Sequence, residues 1–350
     1  MKRWILAFFL ALVPVLGVMA PAVAQATTVS GGPLTSGKPV KATISIAGQT
    51  IQYTFAAKAH KHVTFQVTNF NFSDNGSGGD LYLNFRQPGS SSTYTSCYFS
   101  DNGYCDFTPP LTGTWSVVLD ANGASTGSLM LTFADDVPSQ PLTSGTAVST
   151  TIVFQGQNAG YTFAATQNKH VTFQVTNFNF SDNGSGGDLY LNFYEPGSSA
   201  VYTSCYFSAN GYCDFTPPLT GTWSAVLDAN GASTGNLTLT FANDVATKAL
   251  AAGTPVATTI RFQGQNANYT FPAKVNTNIA FQVSKFNLSD NGSGGDAYLN
   301  FYEPGSSAVY TSCYFSANGS CTIKPPVGGT WKATLDPNGA SVGSLTLTMG

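Results

Sequence analysis

The feature that most constrains this chain is an internal period of 108 residues. Cys97, Cys205 and Cys313 fall on it, as do Cys105, Cys213 and Cys321, Tyr53, Tyr161 and Tyr269, Asp80, Asp188 and Asp296, and Trp115, Trp223 and Trp331. No insertion breaks the register from Pro33 onward, and LNFYEPGSSAVYTSCYFSANG occurs identically at 191–211 and 299–319. A period this long exceeds that of solenoid repeats and matches the size of an independent domain. The expected organisation is three tandem domains, at residues 33–137, 141–245 and 249–350. Short polar joints near Asp135–Pro141 and Asn243–Ala249 leave little room for large hinge motion.

Within each unit the pattern is strand and turn. Tyr161–Phe163, Val171–Val175, Leu189–Phe193 and Leu237–Phe241 alternate at period two and are rich in β-branched and aromatic residues. Asn-Gly, Gly-Gly, Pro-Gly and Pro-Pro pairs punctuate them. Seven to nine short strands per hundred residues predict an all-β chain of antiparallel β-sandwich domains, jelly-roll-like, with Trp115, Trp223 and Trp331 in the cores. Only 9 % of residues are charged while 42 % are apolar. That balance disfavours both a helical cytosolic protein and a disordered one. A net charge of −3 without a Lys/Arg cluster excludes a basic nucleic-acid footprint.

The N-terminus predicts export. Met1-Lys2-Arg3 precedes an uncharged stretch from Trp4 to Ala24, and A-x-A sites end at Ala24 and Ala26. Cleavage after Ala26 would remove a 1–26 signal peptide and leave a secreted or cell-surface chain with no membrane insertion. A retained anchor is the competing reading. Loss of Lys2 and Arg3 takes the net charge from −3 to −5. In an oxidising compartment one cysteine pair per unit implies the disulfides Cys97–Cys105, Cys205–Cys213 and Cys313–Cys321. Zinc is the weaker alternative, since a lone pair without histidine partners cannot fill a tetrahedral site. An Asn102-Gly103 hairpin would set Cys97 opposite Thr108 rather than Cys105, so a wider loop or a bulge is expected there.

Several features recur in one order: Asp80-Leu81-Tyr82-Leu83, a close cysteine pair, a proline-led Gly113-Thr114-Trp115 strand, and the closing strand Ser128–Phe133. In these the chain resembles the bacterial pre-peptidase C-terminal domain family, over most of each unit. The resemblance implies small β-sandwich accessory modules of exported hydrolases, some similar to collagen- or polysaccharide-binding domains and some of those binding calcium. No catalytic domain accompanies the modules here, so the host activity does not carry over.

The search for chemistry points away from an enzyme. His60, His62 and His170 are the only histidines, and Asn276 and Asn278 replace them in the third unit. A Ser-His-Asp or Cys-His mechanism would leave that unit without a base. Arg86 and Gln87 stand where the later units carry Tyr194-Glu195 and Tyr302-Glu303, so glutamate is not a fixed catalytic part.

Two constellations recur. The acidic glycine loops offer Asp74, Asn75 and Asp80, Asp182, Asn183 and Asp188, and Asp290, Asn291 and Asp296 as hard oxygen ligands for calcium. Read plainly, the same loops are turns in which Asx side chains bond nearby amides. The second constellation is aromatic. Tyr82, Tyr94 and Tyr98, with Tyr190, Tyr202 and Tyr206 and Tyr298, Tyr310 and Tyr314, would form outward platforms on which sugar rings stack. The alternative is ordinary cross-strand packing. The expected function is multivalent binding of an extracellular polysaccharide or matrix protein by a non-catalytic array. The alternatives are self-association as a subunit of a filament, matrix or coat, or service as an accessory subunit of a secreted hydrolase.

Overall fold

The computed structural model describes residues 27–74, 76–290 and 292–350. The signal-peptide reading, Asn75 and Asn291 lie outside the described residues.

Each unit is two facing sheets. In the first unit the strands are β1 (Thr28–Pro33), β2 (Val40–Ile44), β3 (Thr50–Ala57), β4 (Val63–Asp74), β5 (Ser77–Gly78), β6 (Leu81–Arg86), β7 (Thr93–Phe99), β8 (Gly103–Phe107), β9 (Gly113–Ala121) and β10 (Thr126–Asp135). One sheet has the order β1-β3-β9-β6-β7, and the other β2-β10-β4-β5 with β8 also on β4. The second and third units repeat this topology, so the described residues are all-β, in three tandem sandwiches. The period-two pattern decides which side chains enter. Phe55, Leu83, Phe85, Trp115, Val117, Leu119, Phe65, Val67 and Leu131 are all buried between the two sheets.

The centre of each core is aromatic. Phe55 packs edge-on against Phe65 at 4.9 Å between centroids, and Phe65 lies 4.7 Å from Phe85. Trp115 is fully buried, and its indole N–H donates to the Leu111 carbonyl at 3.0 Å. Trp223 and Trp331 make the same bond to Leu219 and Val327 at 3.1 Å. Burying the indole therefore leaves no unpaired donor, the condition under which tryptophan suits a core.

Two features depart from an antiparallel sandwich with free joints. The strand β1 runs parallel to β3, whereas the other pairings are antiparallel. The intervening β2 belongs to the opposite sheet, and that crossover lets β3 return beside β1 in the same direction. The segments read from sequence as joints are the equivalent parallel strands Val137–Pro141 and Val245–Ala249. The chain between units is thus hydrogen-bonded into the sandwich that follows.

The cysteine pair does not close a hairpin. Cys97 lies on β7, which pairs with β6, while Cys105 lies on β8, which pairs with β4 in the other sheet. The residues between them carry the chain across the sandwich edge, and Cys97–Cys105 ties one sheet to the other. Cys205–Cys213 and Cys313–Cys321 do the same. Asn102 serves the crossing by accepting from the Phe70 amide at 2.9 Å, beside Asn69 at φ 51°. This is the bulge where β4 slips register against β10. On the chain-entropy estimate so short a loop contributes about 2.6 kcal/mol. C205S/C213S should therefore destabilise the second unit by about that amount in urea unfolding. An unchanged midpoint would show that the staple is dispensable.

Candidate functional site

The outer face of the β6-β7 sheet carries the tyrosines. Tyr82 and Tyr98 are direct cross-strand partners on β6 and β7. Their rings stand 5.4 Å apart at 59°. Tyr190–Tyr206 and Tyr298–Tyr314 repeat this at 5.4 Å and 58°, and at 5.3 Å and 56°. All six rings are exposed, Tyr98 by 54 %. The Tyr98 hydroxyl donates to Asp80 at 2.8 Å, Tyr206 to Asp188 at 2.6 Å and Tyr314 to Asp296 at 2.7 Å. That bond to the carboxylate raises each hydroxyl's pKa above the usual tyrosine value, with lesser contributions from desolvation and the carboxylate's charge. The ring is held by its tip while its face stays open.

Tyr94 does not share that platform. Thr95 pairs with Phe85 and Thr93 with Arg86, so Tyr94 is the extra residue of a bulge. Released from strict alternation, its ring packs edge-on against buried Trp115 at 5.5 Å. Tyr202 and Tyr310 cover Trp223 and Trp331 in the same way, at 5.3 and 5.2 Å. The sequence places all three tyrosines of a unit on one face, and the structure brings only two together there. The third seals the core edge.

The acidic loops are engaged in turn chemistry. Asp80 accepts from Asn122 Nδ2 at 3.4 Å as well as from Tyr98, and its backbone carbonyl accepts from the Asn122 amide. Its own amide donates to Ser125 Oγ. Asp74 Oδ2 lies close beside Gly123 of the same turn, and Asn183 Oδ1 accepts from Gln155 Nε2 at 3.1 Å. Among the described residues no group of three or more His, Cys, Asp or Glu side chains gathers for a metal ion. Calcium here would have to draw on amide and backbone oxygens and compete with Tyr98 for Asp80.

Sequence reasoning placed the joints between units but missed the contacts made there, having weighed the histidines only as catalysts. His62 Nδ1 lies 2.8 Å from Asp136 Oδ1, and its Nε2 lies 3.7 Å from Asp106. His170 repeats this with Asp244 at 2.8 Å and Asp214 at 3.5 Å. Burial opposes the charge on each imidazole. Hydrogen bonds and charges from the two carboxylates outweigh it, and raise both pKa values to about 9. Asp228 of the second unit is within electrostatic reach of His62, and Asp336 of the third within reach of His170. The second joint also leaves a cleft of about 360 Å³, walled by His170, Tyr212 and Asp214 on one side and Tyr298 and Asp336 on the other. The signal that could have exposed these contacts is a block replacement: HVT at 62–64 and 170–172 becomes NIA at 278–280.

No protein-family model matches the chain, and no curated protein matches it either. Solved structures align over stretches of it. A periplasmic inhibitor of g-type lysozyme from Aeromonas hydrophila is 17 % identical over 31 % of this chain and 99 % of its own, with a TM-score of 0.24. The pre-peptidase C-terminal domain of a Bacillus anthracis collagenase is 14 % identical over 31 % of this chain and 96 % of its own, also at 0.24. The CUB1-EGF-CUB2 segment of human MASP-1/3 is 9 % identical over 59 % of this chain and 99 % of its own, at 0.20. At these scores the likenesses fix neither a family nor an activity.

Proposed function

We propose that this is a secreted, non-catalytic array of three pre-peptidase C-terminal-like modules that binds an extracellular polymer through its tyrosine pairs. One observation carries the reading: the same exposed pair, one ring of it held by its hydroxyl, recurs in all three units with nearly the same ring geometry. The pair is not committed to the core, whereas Tyr94, also exposed, lays its ring against buried Trp115. Fixed aromatic faces bordered by the amide of Asn84 and the carboxylate of Asp120 suit a polysaccharide, whose rings present apolar faces and hydroxyl edges. A matrix protein such as collagen is the second candidate polymer. The disulfides favour an oxidising compartment outside the cytosol.

Linking weak modules raises apparent affinity by about 10²–10⁴-fold when the ligand can meet several at once. The test is retention of residues 27–350 on insoluble polysaccharides and on collagen, with calcium and with EDTA. Retention on one polymer is expected, and Y98A/Y206A/Y314A should lower it by a factor within that range. Equal retention by the triple variant would remove the tyrosines from the site. Loss in EDTA alone would bring calcium into the acidic loops, and no retention at all would favour self-association.

A further inference from the structure

Among the positions where the third unit departs from the other two, four lie together at the end of the sandwich that meets the next unit. The first unit offers His62 and Thr64 on and beside β4, and Tyr104 and Asp106 on β8. The second offers His170, Thr172, Tyr212 and Asp214. In the third unit the four positions are Asn278, Ala280, Ser320 and Thr322, although the 21 residues ending at Gly319 match their second-unit counterparts without a change.

Each of the four has a partner across or within the joint. The Thr64 hydroxyl donates to the Gln155 carbonyl at 2.7 Å, and Thr172 to Gln263 at 2.7 Å. Tyr104 packs against Gly156, where an added Cβ would stand 2.5 Å from the ring, and Tyr212 meets Gly264 at the same 2.5 Å. His62 bridges Asp106 and Asp136; Asp136 accepts from the Asn158 amide at 2.9 Å, and Asp244 from the Asn266 amide at 3.0 Å. Gln157 Nε2 donates back to the Asp135 carbonyl at 2.8 Å, as Gln265 does to Asn243. The same turn, 154–157 or 262–265, is seated on both occasions by the same bonds. A loose tether between independent modules has no reason to repeat them.

We propose that these four side chains form a docking face whose partner is the 154–157-type turn of the following module, that they lock successive units into one stiff rod, and that the third unit has lost the face. The rod would hold the three tyrosine pairs at fixed spacing. A further copy of the chain would find no seat on the third unit through this contact, which argues against filament growth by end-to-end repetition of the joint.

The full chain tests this by NMR relaxation, which reads the tumbling of each unit separately. In the wild type all three units should share one rotational correlation time. The variant H62N/T64A/Y104S/D106T writes the third unit's residues into the first, at strand positions where the third unit already tolerates them. It should let the first unit tumble faster, towards the rate of an isolated module, while the second and third still move together. The mirror variant H170N/T172A/Y212S/D214T should free the third unit instead. Separate tumbling in the wild type, or common tumbling in both variants, would overturn the proposal. Either result would leave the polymer assay, which reads the tyrosines, to stand or fall alone.

Discussion

Trp223→Ala is expected to cost the second unit about 3–5 kcal/mol, the usual range for emptying a tryptophan site in a core. For a unit of this size that is a fall of roughly 15–30 °C in its melting temperature. The indole has no exposed surface, and it lies within 6.2 Å of Phe163, 5.6 Å of Phe215 and 5.3 Å of Tyr202 between ring centroids. Those rings come from both sheets and from the bulged edge, so the hole cannot be filled by moving one strand. The Leu219 carbonyl also loses its donor. Tyr202 would lose the surface it covers and become free to swing. Calorimetry should show one transition displaced well below the other two, with Trp115 and Trp331 as internal controls. Trp223→Phe should recover part of the loss by refilling part of the volume. A single transition at the wild-type temperature would mean that the second unit does not stand on this core.

How much of this was legible in the sequence depends on how local each feature is. The strands around Tyr161, Val171, Leu189 and Leu237 could be read because alternation is a property of neighbouring residues. The tandem organisation could be read because a period needs no structure at all. Burial of the tryptophans followed from their place in alternating strands. The cysteine pairs were also visible, but their geometry was not. Whether Cys97 and Cys105 sit in one hairpin or in two sheets depends on β4 and β6 capturing their partners, a long-range choice that eight residues of spacing cannot encode. Tyr94 was misplaced for a related reason. A single bulged residue resets the alternation, and only the pairing of Thr93 and Thr95 reveals it. The contacts at the joints were hidden most deeply, since His62 meets Asp136 across 74 residues and Thr64 meets Gln155 across 91. Composition cannot announce such contacts, but comparing the repeats with one another could have done so.

The joints should also make the array sensitive to alkali. His62 faces Asp106 on β8, Asp136 on the connecting segment and Asp228 on the following unit, with Tyr104 alongside, and the second joint has the equivalent set. An imidazole whose pKa is about 9 in the fold and 6.5 when unfolded binds its proton more tightly when folded. The stabilisation is fully present below pH 6.5, declines as the pH rises between the two values, and is gone above about 9. At 1.36 kcal/mol per pKa unit the loss is about 3 kcal/mol for each joint. Deprotonation also leaves three carboxylates facing one another without a cation, so it should loosen docking as well as lower stability. Melting temperatures of the wild type are therefore expected to fall from pH 7 to pH 9.5, a window below the ordinary titration of lysine and tyrosine. H62N/H170N should start lower and show little slope across the same window, because asparagine, already the residue at position 278, has no proton to lose. If the double variant kept the full wild-type slope, the histidines would not be the groups that hold the units together.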